Sequence, residues 1–183
     1  VFMLPRDFYA LGSIKTLAKK ISFDNAMLYY LDNTTNNKNN PNENYAREFL
    51  ELFTILKGPQ IAEGNYTNYT ENDIQQAARV FSGIKVKPLR DTVDPDTGIP
   101  FGYVNISQHD TGQKEFSSVF SNQTIDGGTD QEGVIGEVDD FVEMIFSNLE
   151  TAKSYCRKAY RFFVRREWSS DCLLYTSPSP RDR

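Results

Sequence analysis

The clearest alternation of apolar and polar positions lies in residues 40–56. At about 100° per residue, apolar side chains fill one arc of a helical wheel and charged side chains fill the opposite arc. The apolar arc consists of Tyr45, Ala46, Phe49, Leu50, Leu52, Phe53 and Leu56. Asn40 suits the N-cap, Pro41 suits the first helical position, and Glu43 then stands at N3. The pattern therefore predicts an amphipathic helix that begins at Pro41.

The polar arc of this predicted helix has two interpretations. It consists of Glu43, Asn44, Arg47, Glu48 and Glu51. Arg47 stands four residues from a glutamate on either side, and each such pair stabilises an exposed helix by about 0.2–0.5 kcal/mol. The arc is then a solvated face. The same wheel also fits a cleft lined by three carboxylates, an amide and one arginine, and the sequence leaves both interpretations open.

Apolar residues recur with helical spacing in other segments. Residues 11–21, 22–31 and 134–145 show it, and Thr70 begins another helix in which Asp73 at N3 completes a capping box. Gly83 is a suitable end for that helix. A last helix begins at Thr151. Its predicted inward-facing residues are Ala152, Tyr155, Cys156, Ala159, Phe162 and Phe163.

Residues 84–128 have a different period. The run Asp94-Pro95-Asp96-Thr97-Gly98 is a turn signal, and short extended segments flank it. We expect a long excursion that contains a small antiparallel hairpin. The predicted fold class is therefore mainly α, a helical bundle with a loop and β-hairpin excursion over about 84–128.

The end of the chain has the features of a translated sequencing adapter. Residues 172–182 are encoded in order by the mosaic end and adapter of a transposase-based library kit, which begins TGTCTCTTATACACATCT. We expect residues 1–171 to be part of a single helical domain from a longer gene, and residues 172–183 to be an artefactual tail that packs against nothing. Cys172 then drops out, so Cys156 has no cysteine with which to form a disulfide.

Composition excludes some classes of function. The net charge of −5 argues against a nucleic-acid surface. No apolar run approaches the ~20 residues that a membrane span needs, so we expect no transmembrane segment. Phosphate-binding loops and nucleophile elbows are also missing from the sequence.

His109 is the only histidine, so any histidine-dependent chemistry in this chain passes through it. It is followed by Asp110, which can orient the imidazole or share a metal with it. A metal site would need further carboxylates, and Glu43, Glu48 and Glu51 are the candidates. The alternative is that His109 ties its loop to a helix by hydrogen bonds.

Several blocks of sequence resemble the bacterial family called domain of unknown function 1800. They occur in family order at 27–33 (MLYYLDN), 41–54 (PNENYAREFLELFT), 69–74 (YTENDI), 77–79 (AAR), 109–114 (HDTGQK), 151–153 (TAK) and 161–164 (RFFV). One departure is Ile84, where the family usually has a tryptophan after the glycine. The resemblance implies an exported bacterial protein, periplasmic or extracellular, whose partner is encoded nearby in a sulfatase-like family. It implies no reaction.

Two classes of function remain open. The preferred one is an interaction or accessory module of a secreted or periplasmic complex. The alternative is a metal-assisted hydrolase that uses His109, Asp110 and Glu48 as catalytic residues, at the place where the His109 loop meets the polar face of the predicted helix. There Glu48 or Glu51 would face His109. The candidate binding residues are Asn42, Glu43, Asn44, Arg47, Glu51 and Lys114, and the sequence indicates no particular metal or cofactor.

Overall fold

Six α-helices carry most of the secondary structure in the computed structural model, which describes residues 12–87 and 92–164. They are α1 (Ile14–Ile21), α2 (Asn25–Tyr30), α3 (Asn44–Glu48), α4 (Glu71–Val80), α5 (Gln131–Ser147) and α6 (Leu149–Phe163). Six short strands form three separate antiparallel pairs: β1 (Gln60–Ala62) with β2 (Asn65–Tyr66), β3 (Ile84–Lys85) with β4 (Tyr103–Val104), and β5 (Lys114–Glu115) with β6 (Thr124–Ile125). The prediction of a mainly α fold is confirmed. The expectations for residues 172–183 lie outside the described residues.

The helix predicted from Pro41 begins three residues later, at Asn44. Asn40 is therefore not its N-cap. Hydrogen bonds of the preceding asparagines explain the delay: Asn42 N–H donates to the side chain of Asn36, and Asn42 Oδ1 accepts from Asn44 N–H. Such local bonds hold the backbone out of the helix. After Glu48 the chain continues as a π-helical turn, Phe49–Phe53.

Helix α4 begins as predicted. Thr70 is its N-cap, its side chain accepts from Asp73 N–H, and the Asp73 side chain accepts from Thr70 N–H, which completes the capping box. Gly83 follows the helix with φ +73°. A Cβ at Gly83 would lie 2.8 Å from both Asn105 O and His109 N, so the end of α4 touches the His109 loop directly.

The core joins α3, α4 and α5 through aromatic rings. Phe81 lies at the centre, with its ring centroid 4.8 Å from that of Tyr45 and 5.4 Å from those of Phe49 and Phe141. Phe116 extends the cluster to within 5.5 Å of Phe141. These rings are buried, and edge-to-face pairs of this kind add about 0.5–1.5 kcal/mol beyond their buried area.

Helix α6 is buried only along its first half. Ser154 Oγ donates to Thr54 O and Tyr155 OH donates to Phe53 O, so α6 satisfies carbonyls at the end of the π-helical turn. Ala159 is exposed, and Phe162 and Phe163 are 82% and 79% exposed. The prediction that these three residues point inward is wrong. Helical spacing defines which side chains share a face, but it does not supply the element that covers them.

Candidate functional site

His109 lies at the end of a 3₁₀ turn, Ile106–Gln108, and is 1% exposed. Its backbone N–H donates to Asn105 O. Its Nδ1 atom lies 2.7 Å from the carbonyl oxygen of Ser82, just beyond the end of α4. Because a carbonyl oxygen only accepts hydrogen bonds, Nδ1 carries a proton and donates it to Ser82 O.

The other ring nitrogen faces a carboxylate from α5. His109 Nε2 lies 2.9 Å from Glu137 Oε2, and the same oxygen accepts a bond of 2.7 Å from Gly128 N–H. A neutral imidazole with its proton on Nδ1 would present a lone pair to an ionised carboxylate. One proton must therefore lie between Nε2 and Oε2, on one atom or the other, and it joins the two side chains.

Lys114 completes this buried group. Its Nζ atom lies 2.6 Å from Glu137 Oε1, and both side chains are 0% exposed. Oε1 accepts no bond of good hydrogen-bond geometry, so we attribute the contact to charge attraction. Lys114 Nζ also donates to Asp110 O. Burial lowers the pKa of Lys114, while the negative charge of Glu137 acts in the opposite direction. We call His109, Lys114 and Glu137 the buried triad.

Asp110 is held beside the buried triad by Arg79 of α4. Arg79 Nε lies 2.8 Å from Asp110 Oδ2 and Nη2 lies 3.2 Å from Oδ1, which is a two-pronged contact. Gly112 N–H donates to Oδ1 at 2.9 Å. The Arg79 guanidinium holds the pKa of Asp110 below its ordinary value. Asp110 is therefore an ionised anchor of the loop.

A serine, a histidine and a carboxylate lie next to one another here, as in a catalytic triad: Ser82, His109 and Glu137. Their hydrogen bonds do not run from the serine hydroxyl to the imidazole, as a catalytic triad requires. Ser82 Oγ lies 3.3 Å from His109 Nδ1, yet it donates to Arg79 O at 2.6 Å. Nδ1 already carries the proton that it donates to Ser82 O, so it cannot accept one from the hydroxyl. All three residues are buried. This group does not activate a nucleophile in the described fold.

The predicted polar face of α3 forms ion pairs with the beginning of α4. Arg47 lies 2.5 Å from Glu71, 3.1 Å from Glu43 and 3.9 Å from Glu51. The Arg47 contact lowers the pKa of Glu71. Glu51 also accepts from Tyr69 OH at 2.6 Å and lies 2.9 Å from Lys57 Nζ. The cations of the chain itself therefore neutralise most of this face.

The structure does not bring the two predicted halves of the site together. Arg47 contacts the first residue of α4, whereas Asp110 contacts Arg79 in its last turn. Those two positions are about 12 Å apart along the helix axis at about 1.5 Å per residue. His109 faces Glu137 instead of the expected Glu48 or Glu51. The side chain of Glu48 makes no ion pair or hydrogen bond with another described residue.

Asn42 and Asn44, two of the candidate binding residues, bond to the chain itself. Asn42 Nδ2 donates to Thr35 Oγ1 at 2.8 Å, and Asn44 Nδ2 donates to Leu31 O at 3.0 Å. Both side chains thus fasten the segment that follows α2 to the start of α3. A binding role for them stays a prediction.

A family model described as "Protein of unknown function (DUF1800)" matches residues 7–173. The chain belongs to this family. The resemblance seen in the sequence blocks is thereby confirmed. The chain matches no curated protein and no solved structure. Across residues 12–87 and 92–164, no helix combines the length and the apolar character needed to cross a bilayer.

Glu137 is the member of the buried triad that sequence reasoning missed. It stands three residues after Val134 and four before Phe141, both on the apolar face of α5. An ionisable side chain on such a face usually has a buried partner. That signal was available, but it does not say which partner the carboxylate meets.

The part of the chain that the structure describes contains no group of three His, Cys, Asp or Glu side chains that could hold a metal ion. At the one histidine, the Glu137 carboxylate already meets His109 through Oε2 and the Lys114 ammonium through Oε1. The geometry there suits proton sharing and charge pairing between the His109 loop, the start of β5 and helix α5.

Proposed function

We propose that this domain is a non-enzymatic binding module, an accessory component of an exported bacterial complex. The observation that carries this proposal is the burial of His109, the only histidine of the chain, at 1% exposure. A residue that acts on a substrate must be within hydrogen-bond reach of it. His109 uses both ring nitrogens inside the protein, so its role here is structural.

The buried triad has a structural role because it connects three separate parts of the fold. His109 binds the end of α4 through Ser82 and binds α5 through Glu137, while Lys114 at the start of β5 pairs with the same carboxylate. Breaking a buried ion pair by removing one partner costs about 3–5 kcal/mol. The triad therefore fixes residues 105–114 against the helices.

Exposed apolar side chains support a role in binding. Neighbouring pairs or runs of them occur in α2, at Tyr29 and Tyr30, and at the end of α6, at Phe162, Phe163 and Val164. Exposed apolar groups of this kind are typical of protein interaction sites. The polar face of α3 is a weaker candidate surface, because Arg47 and Lys57 already neutralise its carboxylates.

The alternative, a metal-assisted hydrolase built on His109, Asp110 and Glu48, would need a different arrangement. Asp110 is held by Arg79, and the His109 imidazole faces the core. For hydrolysis, the loop that carries both residues would have to leave its place against α4 and α5. No contact among the described residues favours that movement, so we keep the binding module as the proposal.

The experiment compares binding and stability in the purified protein. We expect it to form a complex with the sulfatase-like protein that the family resemblance implies as its partner, detected by size-exclusion chromatography with light scattering. His109→Gln should lower the melting temperature while leaving this complex intact below that temperature. Ser107→Ala, in the same loop but exposed, serves as the matched control. Failure to form any complex, together with a metal-dependent hydrolysis abolished by His109→Gln in the folded protein, would overturn the proposal.

A further inference from the structure

A cleft of about 490 Å³ lies between α6 and the loop that follows the π-helical turn. Leu56, Gly58 and Pro59 supply its apolar wall, and Asn68 adds one buried amide. Volumes of about 300–1,000 Å³ are typical of small-molecule sites. The cleft is far from the buried triad in sequence and shares no residue with it.

Three cationic side chains of α6 form the opposite wall of this cleft. They are Arg157, Lys158 and Arg161, and no Asp or Glu is among the described residues that line the cleft. The three cations differ in the partners that they already contact. Arg157 lies 3.5 Å from Glu150, and Lys158 Nζ donates to Leu52 O. Arg161 is exposed and makes no ion pair with a described residue. The cleft therefore has an excess of positive charge beside an apolar surface.

Burial makes Lys158 sensitive to a nearby anion. Desolvation lowers the pKa of Lys158, because a charged ammonium is less stable away from water. Its present partner is a neutral carbonyl at a helix end, which compensates only part of that cost. An anion in the cleft would stabilise the charged form of Lys158 and would also meet the guanidinium of Arg161.

The apolar wall is fixed before any ligand arrives. Gly58 has φ +69°, and a Cβ there would lie 2.1 Å from Thr67 Oγ1, so a side chain does not fit. Asn68 Nδ2 donates to Ile55 O and Leu56 O, which holds the loop in place. A preformed wall reduces the ordering cost of binding.

We propose that this cleft binds an organic anion, a carboxylate or phosphate carried on an apolar body. Arginine guanidinium groups match the two oxygens of such anions, and the apolar wall would hold the body of the ligand. An inorganic anion would use only half of the site. This site is independent of the proposed accessory function, and either can fail without the other.

The experiment is a calorimetric titration of the purified chain with phenyl phosphate, inorganic phosphate and benzyl alcohol. We expect saturable binding of phenyl phosphate and at least about tenfold weaker binding of the other two, because each carries only one of the two features that the cleft recognises. Equal affinity for inorganic phosphate would overturn the proposal, and so would the lack of saturable binding of phenyl phosphate.

Two variants locate the site. Arg161→Gln should weaken phenyl phosphate binding about tenfold, the usual loss for one charge-assisted contact. Pro59→Asp should weaken it at least as much, because it places a carboxylate in the exposed wall. Lys38→Gln, an exposed cation in a different loop, is the control and should bind as the original chain does. Unchanged affinity in both Arg161→Gln and Pro59→Asp would contradict the assignment.

Discussion

His109 Nε2 lies 2.9 Å from Glu137 Oε2, and neither side chain is exposed to solvent. The two residues come from separate elements, the loop before β5 and helix α5. Because Nδ1 of the same ring donates to Ser82 O, a proton must lie between Nε2 and Oε2. Lys114 supplies the positive charge on the other carboxylate oxygen. Both ring nitrogens of the only histidine in the chain are therefore used in contacts inside the protein.

Glu137→Gln should strongly destabilise the protein. The substitution preserves the size of the side chain but removes the carboxylate that faces both the buried Lys114 ammonium and His109 Nε2. We expect the free energy of unfolding to fall by about 3–5 kcal/mol, measured by urea denaturation. Glu143 lies on the same helix as Glu137 and forms an exposed pair with Lys15 of α1, so Glu143→Gln should cost no more than about 1 kcal/mol. Similar losses in the two variants would mean that the buried triad is not important for stability.

Asp110→Asn tests the anchor beside the buried triad. Arg79 lowers the pKa of Asp110 in the folded protein, so this interaction stabilises the fold at pH values above about 3.9, the ordinary pKa of an aspartate. The contribution is lost as the pH falls through the lowered folded pKa. We expect Asp110→Asn to cost about 1 kcal/mol at neutral pH, because the pair is partly solvated.

Denaturation of Asp110→Asn at a series of pH values checks the sign of this effect. The stability difference from the original chain should shrink steadily as the solution is acidified below about pH 4. Asp140→Asn, exposed on α5, should show little difference at any pH. A stability difference for Asp110→Asn that persists unchanged in acid would show that the carboxylate charge is not responsible.

Three glycine substitutions separate backbone strain from loss of space. Gly83→Ala places a Cβ 2.8 Å from Asn105 O and His109 N at φ +73°, whereas Gly98→Ala has φ +67° and no neighbour within 4 Å. Gly98→Ala should cost only the roughly 1–2 kcal/mol of the left-handed conformation. Gly83→Ala should cost clearly more, because the His109 loop must move as well.

Gly136→Ala completes this series with the opposite sign. The residue lies within α5 and has open space around the added Cβ. Alanine should raise the free energy of unfolding by roughly 0.5–1 kcal/mol through its better helix propensity. Thermal denaturation of the three variants gives the order directly. If Gly83→Ala were no worse than Gly98→Ala, the close approach of α4 and the His109 loop would be wrong.

Local signals in the sequence predicted the helices well and their surroundings poorly. Thr70 and Asp73 form their capping box within four residues, so the start of α4 could be predicted without knowledge of the fold. The start of α3 depends on the hydrogen bond from Asn42 N–H to the Asn36 side chain. The sequence does not indicate which of several neighbouring asparagines accepts this bond. The exposure of Phe162 depends on which element packs against α6. The spacing of apolar residues along a helix does not contain that information.

The candidate site was harder to predict for the same reason. His109 was identifiable because it is the only histidine. Its partner Glu137 stands 28 residues later, so their meeting depends on how the chain packs α5 against the end of α4. The carboxylates of α3 had an attractive pattern, but α3 contacts the other end of α4. The only sequence signal for Glu137 was its unusual position on the apolar face of a helix, which indicates a buried partner without identifying His109.

The most direct test of this account is the reactivity of His109 with diethyl pyrocarbonate. The reagent modifies the imidazole ring, and the reaction is followed by the change in absorbance. Because the chain has one histidine, this change reports on that residue alone. We predict that the native protein reacts far more slowly than free imidazole, and that one equivalent reacts rapidly after unfolding in urea. Rapid modification of one equivalent in the folded protein, with its circular dichroism unchanged, would contradict the claim that His109 is sealed within the buried triad.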